Sequence, residues 1–166
     1  MTGSGTDVVN INGNVQLAGT MSISTGGSIV NGGGTLSAMS LKLDSGTGAG
    51  TLASPINTSV TTLAARTVTS GDLAVHEADS LTINVVDGLS GFSVVGNTQV
   101  EAGQDVTLES GISIGASGSA SVVLDAARSI ILKSGSHITT INGDIVLKAN
   151  QRTIPTSGNF LMSLNN

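Results

Sequence analysis

Asp72, His76, Glu77 and Asp79 fall close together, and they are the side chains of this chain best suited to moving protons. Two of these three carboxylates, brought together with the imidazole, could act as general acid and base. Asp72 precedes the alternating segment Leu73-Ala74-Val75, and His76 and Glu77 end it, so a short strand here would gather the group at one edge. The plainer reading is four solvated polar positions flanking Leu73, Val75 and Leu81. The sequence favours that reading, so the four stand as a candidate polar patch and no residue is assigned a catalytic role.

Other chemistry finds less support. Zinc needs Cys or His in number, whereas Cys is absent and His76 and His137 lie far apart in the chain with no partner at ligand spacing. The calcium nonapeptide of β-rolls is not matched, because Gly32-Gly33-Gly34 leads into Thr35-Leu36 with no carboxylate following. Gly111-Ile112-Ser113-Ile114-Gly115 opens no helical pattern, so the phosphate-loop and dinucleotide fingerprints fail too. No metal and no cofactor is expected. Asp125 and Arg128 could pair across a turn, and Arg128, Lys133 and Lys148 could form a basic line; exposed ion pairs contribute only ~0 to 1 kcal/mol each. Thr67-Val68-Thr69 is the single Thr-x-Thr, and Thr61, Thr82, Thr107 and Thr139 recur at no constant offset, which argues against the hydroxyl ranks of an ice-binding surface.

These side chains must be positioned by an unusual chain. Gly, Ser and Thr supply 65 of the 166 residues, Phe supplies two, and Trp and Tyr are absent. A nucleic-acid platform needs aromatic rings and a basic surface. With a formal charge of −5 the chain repels phosphate, so no nucleic acid is expected as a partner. No apolar run approaches the ~20 residues that span a bilayer, so no membrane insertion is expected. Val, Ile and Leu still make up 44 residues while only 10% are charged, the reverse of a disordered composition.

The recurrent pattern is a Gly, one or two small polar residues, then apolar, any, apolar. It appears at Gly13 to Leu17, Gly19 to Ile23, Gly34 to Ala38, Gly71 to Val75, Gly103 to Leu108 and Gly143 to Leu147. Period-two alternation of this kind makes strands of about three to six residues, with Gly, Asn and Asp in the turns between them. One constant offset, roughly 21 residues, links Val15 to Leu36, Leu52 to Leu73 to Val94, and Val85 to Val106. The spacing lengthens from Val106 to Ile130 and shortens from Ile130 to Ile145. Repeats of about 20 residues with several short strands each predict an all-β fold, a right-handed parallel β-helix (β-solenoid) of about eight coils. Its narrow interior explains the shortage of aromatic residues. The coils are expected over residues 8–150, with irregular turns and one protruding loop near 44–55. Residues 1–7 read as an initiator joined to a linker, with no basic-then-apolar secretion leader, and the chain is expected to be a piece of a longer protein. Residues 151–166 form a tail or cap, with Phe160, Leu161, Met162 and Leu164 as capping or assembly residues, since an open solenoid end invites strand addition.

The stretches Leu52 to Val85 and Val100 to Ala149, with their repeated "Gly-Asp/Asn, apolar, any, apolar" phrase and their Ala-Gly and Ser-Gly turns, resemble the repeat regions of filamentous-haemagglutinin-like adhesins. The likeness covers half to two thirds of the chain. It implies a right-handed β-helix, export to the bacterial cell surface, and a stalk or multivalent adhesive role toward glycans or a host or matrix surface. It corresponds to interior repeats only, without that family's amino-terminal secretion signature. The function expected is therefore structural or adhesive, with no catalysis. Two alternatives stand beside it: a subunit that self-associates end to end into a sheath or filament, and a polysaccharide-binding or polysaccharide-degrading β-helix of the tailspike or pectate-lyase type.

Overall fold

In a computed structural model of the chain, which describes residues 7–150 and 158–162, every regular element is a strand. The first seven are β1 (Val8–Ile11), β2 (Val15–Gln16), β3 (Thr20–Thr25), β4 (Ser28–Asn31), β5 (Thr35–Ser45), β6 (Ile56–Thr67) and β7 (Leu73–Glu77). Next come β8 (Leu81–Ile83), β9 (Val85–Val86), β10 (Leu89–Ser90), β11 (Phe92–Val94), β12 (Thr98–Ala102) and β13 (Val106–Leu108). The last six are β14 (Ser113–Ala116), β15 (Val122–Ala126), β16 (Ile130–Leu132), β17 (His137–Thr139), β18 (Ile145–Ala149) and β19 (Phe160–Met162). Every pairing between these strands is parallel except that of β9 with β10. The chain is a parallel β-solenoid of about six turns.

Three stacks of strands form its walls in the upper part of the molecule. The first runs β7, β12, β15, β18, the second β8, β13, β16, β19, and the third β11, β14, β17. In the lower coils β5 and β6 are long strands that turn from one wall into the next. Because alternate residues of a strand face opposite ways, a fixed register stacks the same inward position in coil after coil. One inward column is Ile56, Val75, Val100, Leu124 and Leu147. A second runs Met21, Leu41, Leu63, Ile83, Leu108, Leu132 and Met162. A third, Ile23, Leu43, Ala65, Phe92, Ile114 and Ile138, admits the one buried ring because its partner below is the small Ala65. Each fully buried Val, Leu or Ile contributes about 1.5–3 kcal/mol, so these columns are the main source of stability.

The coil count falls short of the expected eight because most coils are longer than the period read from the sequence. Residues bonded across adjacent coils show it: Asp44 and Arg66 are separated by 22, Asn97 and Ser121 by 24, and Asp72 and Asn97 by 25. Of the evenly spaced links, Val15 to Leu36 is a true ladder step. Leu52 and Val85 are exposed residues outside the columns, and Val94 stacks under Ala116. Val106 lies between Leu81 and Ile130, so its longer step is real, whereas Ile130 and Ile145 occupy different walls.

The segment near 44–55 is less of a loop than its composition suggests. Asp44 and Ser45 close β5, and Ala49 is buried and bridges Ile29 to Leu73. Only the turn from Thr51 to Ser54 projects, tied by reciprocal backbone hydrogen bonds between those two residues. A second excursion is the β9–β10 hairpin, which lengthens the step from Ala65 to Phe92. At the other end β19 stacks on β16, pairing Phe160 with Ile130, Leu161 with Ile131 and Met162 with Leu132. The three β19 side chains stay exposed, which makes them the last rung among the described residues. Leu164, residues 1–6 and residues 151–157 lie outside the described residues.

Candidate functional site

The solenoid pulls the four candidate residues apart. Asp72 sits at the corner before β7, and His76 points outward from the strand. Glu77, next along, points inward and is fully buried, while Asp79 lies in the turn beyond it. Strand alternation is the cause: neighbours in sequence cannot share a face. Only Glu77 and Asp79 share a surface, an open hollow of about 290 Å³ whose other walls include Ser59, Thr61, Ser80 and Gln104.

Glu77 is held by three donors. Thr58 Oγ1 donates to Oε2 at 2.8 Å, the Val60 amide to the same oxygen at 3.0 Å, and the Asp79 amide to Oε1 at 3.2 Å. Thr58 is the Glu77 position of the coil below, and the coil above supplies the small Ala102. Burial pushes the Glu77 carboxyl above its ordinary range, with the Asp79 charge adding slightly; the three hydrogen bonds oppose the shift. This carboxylate closes the corner between β7 and β8 and ties it to the coil beneath.

Asp72 belongs to a corner ladder. Its Oδ1 accepts the Asn97 amide at 2.8 Å, Asn97 Oδ1 accepts the Ser121 amide at 3.0 Å, and Ser121 Oγ accepts the Asp144 amide at 3.0 Å. A second ladder climbs the next corner. Ser80 Oγ accepts the Asp105 amide, Asp105 Oδ1 the Ser129 amide, and Ser129 Oγ the Asn159 amide. Short polar side chains satisfy the backbone donors of each turn, and here the donor belongs to the coil above.

The charges follow the same rule. Asp44 takes both Arg66 Nε at 2.9 Å and Nη2 at 2.7 Å; Asp105 receives Arg128 the same way; Glu109 pairs with Lys133, and Asp125 with Lys148 at 3.7 Å. In each case the base lies one coil above the acid. Arg128 therefore pairs with Asp105 and not with Asp125, and no continuous basic line forms with Lys133 and Lys148. The fifth described base, Lys42, binds Asp87 at 3.2 Å. Arg128 holds the Asp105 carboxyl below its ordinary range, whereas burial raises that of Asp125 against the pull of Lys148.

His76 stands in an outward column with Asn57, Glu101, Asp125 and Lys148. Gln99 Nε2 donates to Glu101 at 2.7 Å, so this stripe is polar and internally bonded. Among the described residues no group of three or more His, Cys, Asp or Glu is placed to hold a metal ion. No helix of the described residues is long and apolar enough to cross a membrane. Thr58, Asn97 and Asp105 carry a weaker signal in the sequence, a short polar residue placed one coil before its partner, readable only once the coil length is known. A scan against models of known protein families, a search of curated proteins and a search of solved structures each return no match.

Proposed function

We propose that this β-solenoid is a non-catalytic structural segment of a large secreted bacterial cell-surface protein, serving as a stalk and as a multivalent adhesive surface. The observation that carries the reading is where the polar side chains go. All five described Lys and Arg are paired with an acid of another coil, and Asp72, Glu77 and Asp105 accept hydrogen bonds from an adjacent coil. Groups that could do chemistry are engaged in stacking, which suits a part whose task is stiffness and reach. Outward Ser, Thr, Asn and Gln remain for many weak contacts to glycans or a host or matrix surface. The resemblance to filamentous-haemagglutinin-like repeats supports the same reading.

The test is retention and turnover of a polysaccharide panel by the chain and by Asp72→Asn, Glu77→Gln and Asp79→Asn. No released reducing ends, and unchanged retention in all three variants, are expected. Depolymerisation abolished by any of these substitutions would replace the stalk with a tailspike-like or lyase-like enzyme.

A second reading, end-to-end self-association, draws on the outermost described coils. The lower one leaves β1, β2 and β3 each paired on one side and opens a hollow of about 510 Å³ lined by Val9, Ile11, Val15, Met21, Ile23 and Leu36. The upper one exposes Ile141, Ile145 and the β19 side chains. Unpaired parallel edges over apolar side chains favour strand addition. Light scattering at two concentrations reads it: mass rising with concentration supports association, and a constant monomer mass removes it.

A further inference from the structure

A solenoid normally couples each coil only to the next. The β9–β10 hairpin departs from that rule. Its two-residue turn, Asp87-Gly88, has φ of +49° and +77°, the left-handed geometry that lets a hairpin fold tightly. The hairpin leaves the fourth coil and lies along the outside of the coils below. There Ser22, Lys42 and Ala64 form one outward column from three successive coils. Asp87 reaches the two lower members: Ser22 Oγ donates to Oδ2 at 2.8 Å, and Lys42 Nζ lies 3.2 Å from the same oxygen. Ala64, the third member, faces outward yet is completely buried, and Val86 of the hairpin is 3% exposed. Both contacts of Asp87 skip at least one intervening coil.

We propose that this hairpin is a clasp that fastens the first three coils to the fourth and makes the lower half of the solenoid open as one unit. The packing under Val86 and the polar grip of Asp87 span coils that otherwise touch only in sequence. The upper coils carry no such tie among the described residues. Their intercoil pairs, Asp105 with Arg128, Glu109 with Lys133 and Asp125 with Lys148, each join adjacent coils only. The charged groups around the clasp are Lys42 itself and the neighbouring Asp44, which is already matched by Arg66, so Asp87 is the acid that holds Lys42.

Native-state hydrogen exchange on the full chain tests this. Asp87→Gly removes the carboxylate while keeping a residue that tolerates the turn, and Lys42→Met removes the opposing charge without touching the hairpin. Amides of β3 and of the Ser40–Leu43 part of β5 should exchange about fivefold faster in either variant, the factor for an interaction near the upper end of exposed pairs. Amides of β15 and β18 should keep their rates. Unchanged exchange in β3 and β5 in both variants, or equal acceleration in β15 and β18, overturns the clasp.

Discussion

Alternation along β7 assigns neighbouring residues to opposite environments: His76 meets solvent and Glu77 meets the core. The consequence for Glu77 is a pH dependence with a definite sign. Its folded carboxyl titrates above its ordinary value of 4.5 because burial disfavours the charge. As pH falls through that raised value the folded chain takes up the proton before the unfolded chain does, so the Glu77 contribution to stability grows. The gain is complete once pH is below 4.5 and the unfolded carboxyl is protonated too. The difference in urea midpoint between the chain and Glu77→Gln, followed from neutral pH downward, should move in favour of the native residue as acid is added. Thr98 offers the opposite case. It is buried between Leu73 and Val122, and its Oγ1 has no hydrogen-bond partner. Thr98→Val keeps the shape and removes the orphan hydroxyl, so urea unfolding should show a gain of about 1 kcal/mol.

Elements here are too short to stand alone, and the corners decide whether they stack. Asp105 caps the Ser129 amide and grips Arg128, so Asp105→Ala should lower stability by about 2 kcal/mol and Asp105→Asn, which retains the amide contact, by roughly half as much. Gly71 has φ of +89°, and a Cβ there would lie 2.1 Å from the Thr47 carbonyl oxygen of the coil below. Gly71→Ala should therefore cost about 3 kcal/mol or more in thermal unfolding, since both strain and a backbone clash must be relieved. The strands themselves are legible in the sequence because alternation is a local property: the cassettes beginning at Gly71, Gly103 and Gly143 lead into β7, β13 and β18. Coil length is not, because the chain absorbs extra residues at corners and in excursions without disturbing a column. Asp87-Gly88 between Val86 and Leu89 is a readable hairpin signal, masked by so many other glycines. The site is legible in residue type only. Which acid meets which base depends on register, so the nearness of Asp125 to Arg128 in sequence points to the wrong pair.

The described coils form a short rod. About six coils at the ~4.8 Å strand spacing give a length of about 29 Å, shorter than the roughly 40 Å that eight coils would reach. Because contacts are mostly between adjacent coils, its stability is close to a sum of coil-to-coil terms, with the clasp as the exception. The buried and paired side chains among those able to do chemistry serve that sum. Functional groups commonly cost stability, and replacing them often raises it; structural groups behave the other way. The most direct test is the unfolding free energy at pH 7 of Glu77→Ala beside His76→Ala. Removing Glu77 takes the acceptor from the Val60 and Asp79 amides and leaves the Thr58 hydroxyl only its long contact to the His76 carbonyl, so a loss of about 3 kcal/mol is predicted, with His76→Ala within about 0.5 kcal/mol of the parent. A Glu77→Ala chain as stable as the parent, or more stable, would show that Glu77 does not hold the coils together and mark it as a residue kept for function.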